Sequence, residues 1–551
     1  MVQSMNTIIF TTIVLIILII LIKLLIFSKT QNKNKIKKPP SPTSLPILGH
    51  LHLLINNKQP LYKTLTQLSN NHGPIMLLRF GFRRHVLIVS SFSAATECFT
   101  NLDIIFANRP KLPSEGHLTY HSRHLFFDRF SGCVVRPDIK AKHFVSKDQR
   151  FLLSIHQHSY GPHWRNICRI VAVHLFSSAK LNSSSIIRAS ETHALVRRLF
   201  KGGSEFKRVN IRTVLHEIVL NVMMMLVAGK RYYVDEGVGA DVDEVKWFEE
   251  MVEETFKLSG MSNVRDFLPE LLRVVDVHGV EKKLARLEKM WDEYLQRLID
   301  ELRGKLGNGN HDNESIIRMT LIGTLLSMQE DEDPDYYTDN LIKTQVLSLL
   351  SAGTDTSSAT IEWGLSLLVN HPQVLKKAQD EIDELVGHDR LIKEFDIPNL
   401  PYLHCIVLEI LRLYPAAPLL LPHESSQECK VFGFDIPRGT ILVVNAYAMH
   451  IDPEIWEDAL VFKPERFLGG EEKVKKMMPF GMGRRRCPGE GLSFRLVELV
   501  LGALVQCFEW ERVEDEEVSM EGGAGLDMHK AMALELMCKP RPDLIVVISG
   551  L

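Results

Sequence analysis

Ile8 to Phe27 is an almost unbroken apolar run, interrupted by two threonines and Lys23. Few structures accommodate such a segment. At about 1.5 Å per residue a helix of this length just spans a hydrocarbon core, and a helix pairs all of its own backbone groups there. Residues 8–27 therefore read as a single transmembrane anchor. A cleaved signal peptide needs a basic start, a shorter apolar run and a small-residue cleavage site, and none of these features is visible. Lys29, Lys33, Lys35, Lys37 and Lys38 follow the span, which places the remaining body on the cytoplasmic side of the membrane, with the endoplasmic reticulum as the expected compartment. The sequons Asn182-Ser-Ser and Asn313-Glu-Ser make this topology checkable, because a cytosolic body never meets the glycosylation machinery.

Behind the anchor, Pro39-Pro-Ser-Pro-Thr-Ser-Leu-Pro46 fixes φ repeatedly and removes donors, so residues 28–50 read as a basic, proline-rich linker. The 551-residue chain is 45% hydrophobic, enough for a large core, and no strong linker divides the body at residues 51–551. Its formal charge is only -2, with no acidic residue before Glu97; no nucleic-acid partner is expected. Eight cysteines are scattered without a C-x-x-C pair, so disulfides are not expected and most should be small buried apolar residues.

Leu61 to His72 has helical spacing, and Ile75 to Phe82 and His85 to Val89 read as two strands turning at Arg83-Arg84. Helical patterns then dominate: Phe92 to Thr100, Trp164 to Phe176, Val209 to Ala228, Val245 to Leu258 and Val280 to Leu302. The polar stretches Gly304 to Asn313 and Glu330 to Asp339 read as solvated loops around a helix; the acidic one contains Pro334 and lacks the glycine and final Glu of a calcium loop.

Cys487 is the cysteine whose neighbours suggest chemistry. It sits in Phe480-Gly-Met-Gly-Arg-Arg-Arg-Cys-Pro-Gly489, ahead of an amphipathic helix from Glu490 to about Phe508. A thiolate at a helix N-terminus is favoured by the dipole and by backbone N–H groups, and glycines let a flat macrocycle approach the backbone. The plain alternative is a buried cysteine in a basic loop. Leu341 to His371 reads as one helix of roughly 45 Å, with Ala352-Gly-Thr-Asp-Thr-Ser357 at its middle. Gly353 and hydroxyls that bond back to preceding carbonyls should loosen it there. Glu409-Ile-Leu-Arg412 sets opposite charges on one helix face, by itself a weak surface pair.

Together these motifs resemble the cytochrome P-450 family of the plant microsomal type, and the similarity runs from the anchor to the C-terminus. Pro422-His-Glu-Ser-Ser426, Asn445-Ala-Tyr-Ala-Met-His450 and Leu536-Met-Cys-Lys-Pro-Arg-Pro542 look most like the branch that contains isoflavone hydroxylases. The resemblance implies the cytochrome P-450 fold, mainly α with a small β region, around haem b. It implies Cys487 as the axial thiolate on iron, a ligation that favours O–O cleavage, with Phe480, Gly483, Arg485 and Gly489 contacting the cofactor around that loop. Trp164 and His423 join Arg485 as propionate partners. On the long helix, Gly353 lies beside the haem, Thr356 orients water and bound dioxygen, and Asp355 relays protons. Glu409, Arg412 and Arg466, the last in Phe462-Lys-Pro-Glu-Arg-Phe467, form a buried structural triad that fixes the cysteine loop. No dinucleotide fingerprint or P-loop is present. Electrons must then come from NADPH through a flavoprotein NADPH–cytochrome reductase docking near Cys487, where Arg484, Arg485 and Arg486 contribute positive potential.

The sequence departs from that family in two places. Family members usually place Arg four residues after the tryptophan, but position 168 is Cys and the nearby arginines, Arg165 and Arg169, lie about 100° away on the helix. Either Arg169 reaches across or the haem has one contact fewer. Between Arg109-Pro-Lys-Leu-Pro and Tyr160-Gly-Pro-His-Trp-Arg, a surplus stretch at about residues 121–150 has no clean periodicity. It reads as a retained intron or mispredicted exon, with a genuine insertion as the alternative.

The function this implies is insertion of one oxygen atom from dioxygen into a lipophilic plant metabolite, a flavonoid, isoflavonoid or terpenoid. The pocket is expected from Tyr120, the region around Leu349, Ala416 to Leu421 and His529 to Ala533. Two rivals remain open. One is an oxygen-independent haem-thiolate isomerase or dehydratase, against which Asp355 and Thr356 argue; the other is a haem binder left inactive by the surplus stretch.

Overall fold

The computed structural model describes residues 37–110, 159–259, 280–307 and 317–551, apart from 47, 56–58, 82–83, 202, 204, 234–241, 524 and 526. The anchor, residues 28–36 of the linker, Tyr120, Asn313 and the surplus stretch lie outside the described residues.

Helices of eight or more residues are numbered here with the strands. The order is α1 (Leu61–His72), β1 (Ile75–Phe80), β2 (Arg84–Val89), α2 (Phe92–Phe99), α3 (Pro162–His174), α4 (Ser185–Phe200), β3 (Lys207–Asn210) and α5 (Ile211–Ala228). Then come α6 (Val242–Ser259), α7 (Val280–Gly307), α8 (Leu321–Asp331), α9 (Asp339–Asn370), α10 (Pro372–Val386) and α11 (Pro401–Leu413). The chain ends with β4 (His423–Glu424), β5 (Cys429–Val431), β6 (Phe434–Ile436), β7 (Ile441–Val444), α12 (Glu490–Cys507), β8 (Phe508–Arg512) and β9 (Glu535–Pro540).

The strands form three small sheets. The largest has the order β1-β2-β7-β4. β2 runs antiparallel to β1, with Ile75 opposite Val89, and parallel to β7, with Val86 opposite Ile441. β3-β9-β8 forms a second sheet and β5-β6 a hairpin. The helical body is the larger part. α9 runs through its centre, buried along most of its length, and packs on α5, α11 and α12. α5 is apolar enough to cross a membrane by composition, yet most of it is buried inside the body, which is what an all-round apolar helix signifies in a large core.

Where the observed elements depart from the sequence pattern, local chemistry explains it. The helix expected from Val209 starts at Ile211, because the Asn210 side chain caps it by accepting the Thr213 N–H at 3.1 Å, while Val209 pairs with Leu536 in a sheet. The helix expected to stop at Leu302 continues to Gly307, into part of the stretch read as a loop, where Lys305 pairs with Glu301 one turn back at 2.6 Å. The stretch of α9 expected to loosen is helical throughout.

Candidate functional site

The loop before α12 is shaped by two glycines. Gly481 and Gly483 hold φ of +70° and +71°, a region that costs other residues energy. At Gly483 there is also no room, since a Cβ would lie 2.5 Å from the Phe99 carbonyl oxygen and 2.6 Å from Asp103 Oδ1. The close approach lets Asp103 receive the Arg484 N–H and pair with its guanidinium, both at 3.1 Å. The Cys487 N–H closes the loop on the Phe480 carbonyl at 2.9 Å. Burial pushes the Cys487 thiol up from its ordinary value, against hydrogen bonds from the Gly489 and Glu490 N–H groups. These two N–H groups at the start of α12 are the ones that would favour a thiolate here, and a coordinated metal deprotonates such a thiol outright.

Behind the loop, Glu409, Arg412 and Arg466 come together in the interior. The Glu409 carboxylate accepts from Arg412 Nε at 2.7 Å and Nη2 at 2.8 Å, from Arg466 Nε at 2.9 Å and from the Lys463 N–H at 3.0 Å. Arg412 Nη1 continues to the His450 carbonyl at 2.7 Å, and His450 Nε2 accepts the Met478 N–H at 3.0 Å. Burial and Arg412 hold His450 down to about 3, so the ring is neutral and its lone pair serves as the acceptor. A continuous set of bonds thus links the triad to the chain two residues before Phe480.

Arg485 turns inward. Its Nε donates to the Ala107 carbonyl at 2.7 Å and its guanidinium lies 4.3 Å over the Trp164 ring. His423 Nδ1–H donates to the adjacent Phe106 carbonyl at 2.7 Å, so two consecutive carbonyls hold both groups side by side. Burial brings Arg485 down to about 10 and His423 well below its usual value, the latter with help from Arg109. Arg109 is itself buried and donates to the Leu421 and Pro422 carbonyls at 2.8 and 2.6 Å. Cys168 also faces Arg485, with a thiol raised to about 11 by burial and hence neutral. Arg169 is exposed and bonds Asn166 at 2.9 Å, so it does not reach across.

On α9, Thr356 Oγ1 donates to the Ala352 carbonyl at 2.8 Å. Gly353 is set against Met223 of α5, whose Cε would be 2.5 Å from an added Cβ. Asp355 points to α5 as well, its Oδ1 4.0 Å from His216 Nε2. Burial and, after it, Asp527 push Asp355 up to about 8. Met528, the residue before the expected pocket segment His529 to Ala533, donates its N–H to the carbonyl of Ala416, the first residue of another, at 2.9 Å. Leu349 is buried in the core.

The comparisons decide the family. The Cytochrome P-450 family model matches residues 39–131 and 135–533. The chain belongs to the cytochrome P-450 family. A cytochrome P-450 of Catharanthus roseus is 44% identical over 99% of both chains. The (+)-piperitol/(+)-sesamin synthase of Sesamum radiatum is 44% identical over 94% of this chain and 93% of its own, and the isoflavone 3'-hydroxylase of Medicago truncatula 42% identical over 94% and 95%. A solved zebra fish cytochrome P-450 with abiraterone superposes with a TM-score of 0.67 at 24% identity, covering 88% of this chain and 100% of that one, a likeness that shows the fold. The chain is a cytochrome P-450 monooxygenase of the plant branch that contains isoflavone hydroxylases.

Members of this family carry a haem whose iron is held by a cysteine thiolate, and the residues present fit one: a thiol at the end of a glycine-shaped loop that receives the Gly489 and Glu490 N–H groups, and the inward-turned Arg485 and buried Arg109, which suit carboxylates. Sequence reasoning missed Arg109, His450, His216 and Asp527. Each meets its partner across a tertiary contact that sequence spacing does not reveal, although Arg109 and His450 stand within motifs quoted above.

Proposed function

We propose that this cytochrome P-450 hydroxylates an aromatic, lipophilic plant metabolite of the flavonoid or isoflavonoid kind, with terpenoids as the next class. Cys487 would ligate the haem iron, with Phe480, Gly483, Arg485 and Gly489 around it; Arg485, His423, Trp164 and the additional Arg109 would hold the propionates. When bound, the haem supplies activation of dioxygen and transfer of one oxygen atom. The protein's own groups do the rest. Thr356 positions its hydroxyl on the Ala352 carbonyl one turn back along α9 and Asp355, the preceding residue, holds an exchangeable proton, while the Glu409–Arg412–Arg466 triad fixes the cysteine loop.

The observation that carries this reading is the succession on one turn of α9 of Asp355, whose carboxyl burial pushes up to about 8, and Thr356, whose hydroxyl bonds back to the Ala352 carbonyl at 2.8 Å. An oxygen-independent isomerase has no use for such a proton source. The relatives named as isoflavone hydroxylases support the substrate class.

Electrons would come from NADPH through a membrane reductase. A cleft of roughly 620 Å³ beside the cysteine loop, lined by His404, Lys475, Pro479, Met482, Arg486 and Phe494 among others, supports docking there. Arg484 and Arg486 contribute less than their number suggests, since Asp103 and Glu490 pair with them. Residues 8–27 would anchor the enzyme in the endoplasmic reticulum with its body in the cytosol; glycans at Asn182 or Asn313 would overturn that orientation. The surplus residues 121–150 remain the proposed product of a retained intron or mispredicted exon.

The test is expression with and without residues 121–150, a carbon monoxide difference spectrum of the reduced protein, then addition of reductase, NADPH and a panel of flavonoids, isoflavonoids and terpenoids. A thiolate-type spectrum and an NADPH-dependent hydroxylated product are expected. The absence of that spectrum in both forms sinks the reading, and so does its retention in Cys487→Ser.

A further inference from the structure

Around Asp355 lies a group of titratable side chains that the reading above does not use. From α5, His216 brings Nε2 to 4.0 Å from Asp355 Oδ1, with the two side chains 20% and 14% exposed. The helices come this close because Gly353 has no side chain to hold Met223 off. From the turn before β9, Asp527 adds negative potential at Asp355, and His529 adds positive potential at His216. That turn is fixed by the Trp363 Nε1–H, which donates to the Met528 carbonyl at 2.7 Å. One turn before His216 on α5, Arg212 pairs with buried Glu362 at 3.1 Å and donates to the Lys530 carbonyl at 2.9 Å. The Lys530 ammonium lies 4.8 Å over Trp363 and donates to the Ser519 carbonyl. Glu217, the next residue of α5, is taken by Arg198. The titratable groups that act on the pair are therefore Asp527 on Asp355 and His529 on His216, while Arg212, one turn before His216, is tied to Glu362 of α9 and to the Lys530 carbonyl of the turn.

We propose that His216 is a positioning residue that reloads Asp355 with protons, so that α5 provides the route from solvent to the oxygen-handling turn of α9. The proposal rests on the monooxygenase reading of Asp355. Asp355 is pushed up to about 8 and His216 down to about 4, in both cases chiefly by burial. At neutral pH the acid keeps its proton and the ring is uncharged. Once Asp355 has given its proton away, a carboxylate faces the imidazole. The Nε2 proton then moves to that carboxylate, as the ring closes the 4.0 Å gap, while Nδ1 takes one from water, and a flip of the ring brings the newly protonated nitrogen round to face Asp355. One proton enters as one leaves, and no electrons move.

Two readouts test this. In 13C-histidine-labelled protein, with His216→Gln used to assign the ring signal, the His216 resonance should show an inflection near pH 8 that Asp355→Asn removes. With haem, reductase and NADPH, and an isoflavone as the probe substrate, His216→Phe and His216→Gln should lower the maximal NADPH oxidation rate about tenfold, below the usual full effect of an acid–base group. The isoflavone KM should stay within twofold and the solvent deuterium isotope effect should at least double. Rates are taken per thiolate-type spectral unit, so misfolded protein does not count. If Asp355→Asn slows turnover while both His216 variants keep wild-type rate and isotope effect, or if the inflection survives Asp355→Asn, the relay is wrong and the enzyme reading stands. If Asp355→Asn leaves turnover unchanged, the role of Asp355 fails and the relay with it.

Discussion

Glu409 and Asp300 offer a controlled comparison, because each forms an ion pair with an arginine three residues along a helix. Glu409 and Arg412 are fully buried, whereas Asp300 and Arg303 are 58% and 38% exposed. In Glu409→Gln the amide keeps one oxygen for four donors and turns its own NH2 toward a guanidinium. Two buried arginines then lack their counter-charge. Removing one partner of such a pair costs about 3–5 kcal/mol, a large share of the 5–15 kcal/mol that typically holds a protein folded. Asp300→Asn, whose pair is screened by water, should cost below about 0.5 kcal/mol. Chemical denaturation followed by circular dichroism measures both, and the carbon monoxide spectrum reports the cysteine loop. Because Arg412 leads through His450 to Met478, Glu409→Gln should also shorten the lifetime of the thiolate-type spectrum. A loss within 1 kcal/mol of that in Asp300→Asn, with the spectrum unchanged, would refute the idea that burial, and not spacing, gives the triad its weight.

Gly483→Ala should abolish stable haem incorporation, measured by absorbance per protein, since the added carbon meets the Phe99 carbonyl and needs a positive φ. His450→Phe leaves the Met478 N–H without its acceptor and should cost about 1–3 kcal/mol in denaturation, with faster haem loss. For Asp355, a folded value near 8 against an ordinary one near 4 means the folded state binds the extra proton; wild-type stability therefore falls as pH rises from about 4 to about 8. Asp355→Asn should gain on wild type across that window by on the order of a few kcal/mol, read from denaturation midpoints at successive pH values. Arg109→Leu should weaken haem retention several-fold in a transfer assay, whereas Cys168→Ser should leave it within twofold, because the Cys168 thiol is neutral.

The parts of this molecule legible in its sequence are those whose chemistry is contiguous. The cysteine loop, the Thr356 turn and the Glu409–Arg412 spacing each fit within ten residues, and strongly periodic helices such as α1 emerge with their observed ends. α4 escaped because Arg188 and Glu191 occupy its buried face, where Arg188 pairs with Glu394 and Glu191 with Arg231, so its apolar stripe is interrupted by charge. Strand β3 escaped because four residues carry too little alternation to register.

The same distinction bears on position 168. The family resemblance asks for a cation on the face of α3 below Trp164, and Cys168 leaves that place neutral. The folded chain brings a cation from elsewhere: Arg109, anchored on the Leu421 and Pro422 carbonyls, stands against His423. What an acidic ligand senses is the sum of buried charge around it, not the residue number that supplies it. A cation lost from one helix can therefore be offset by one from a loop, provided both are desolvated and tied to backbone carbonyls, as Arg485 and Arg109 are. On that ground we propose that Arg485 and Arg109 hold the acidic edge of the cofactor where Cys168 supplies no charge, which is what the comparison of Arg109→Leu with Cys168→Ser tests.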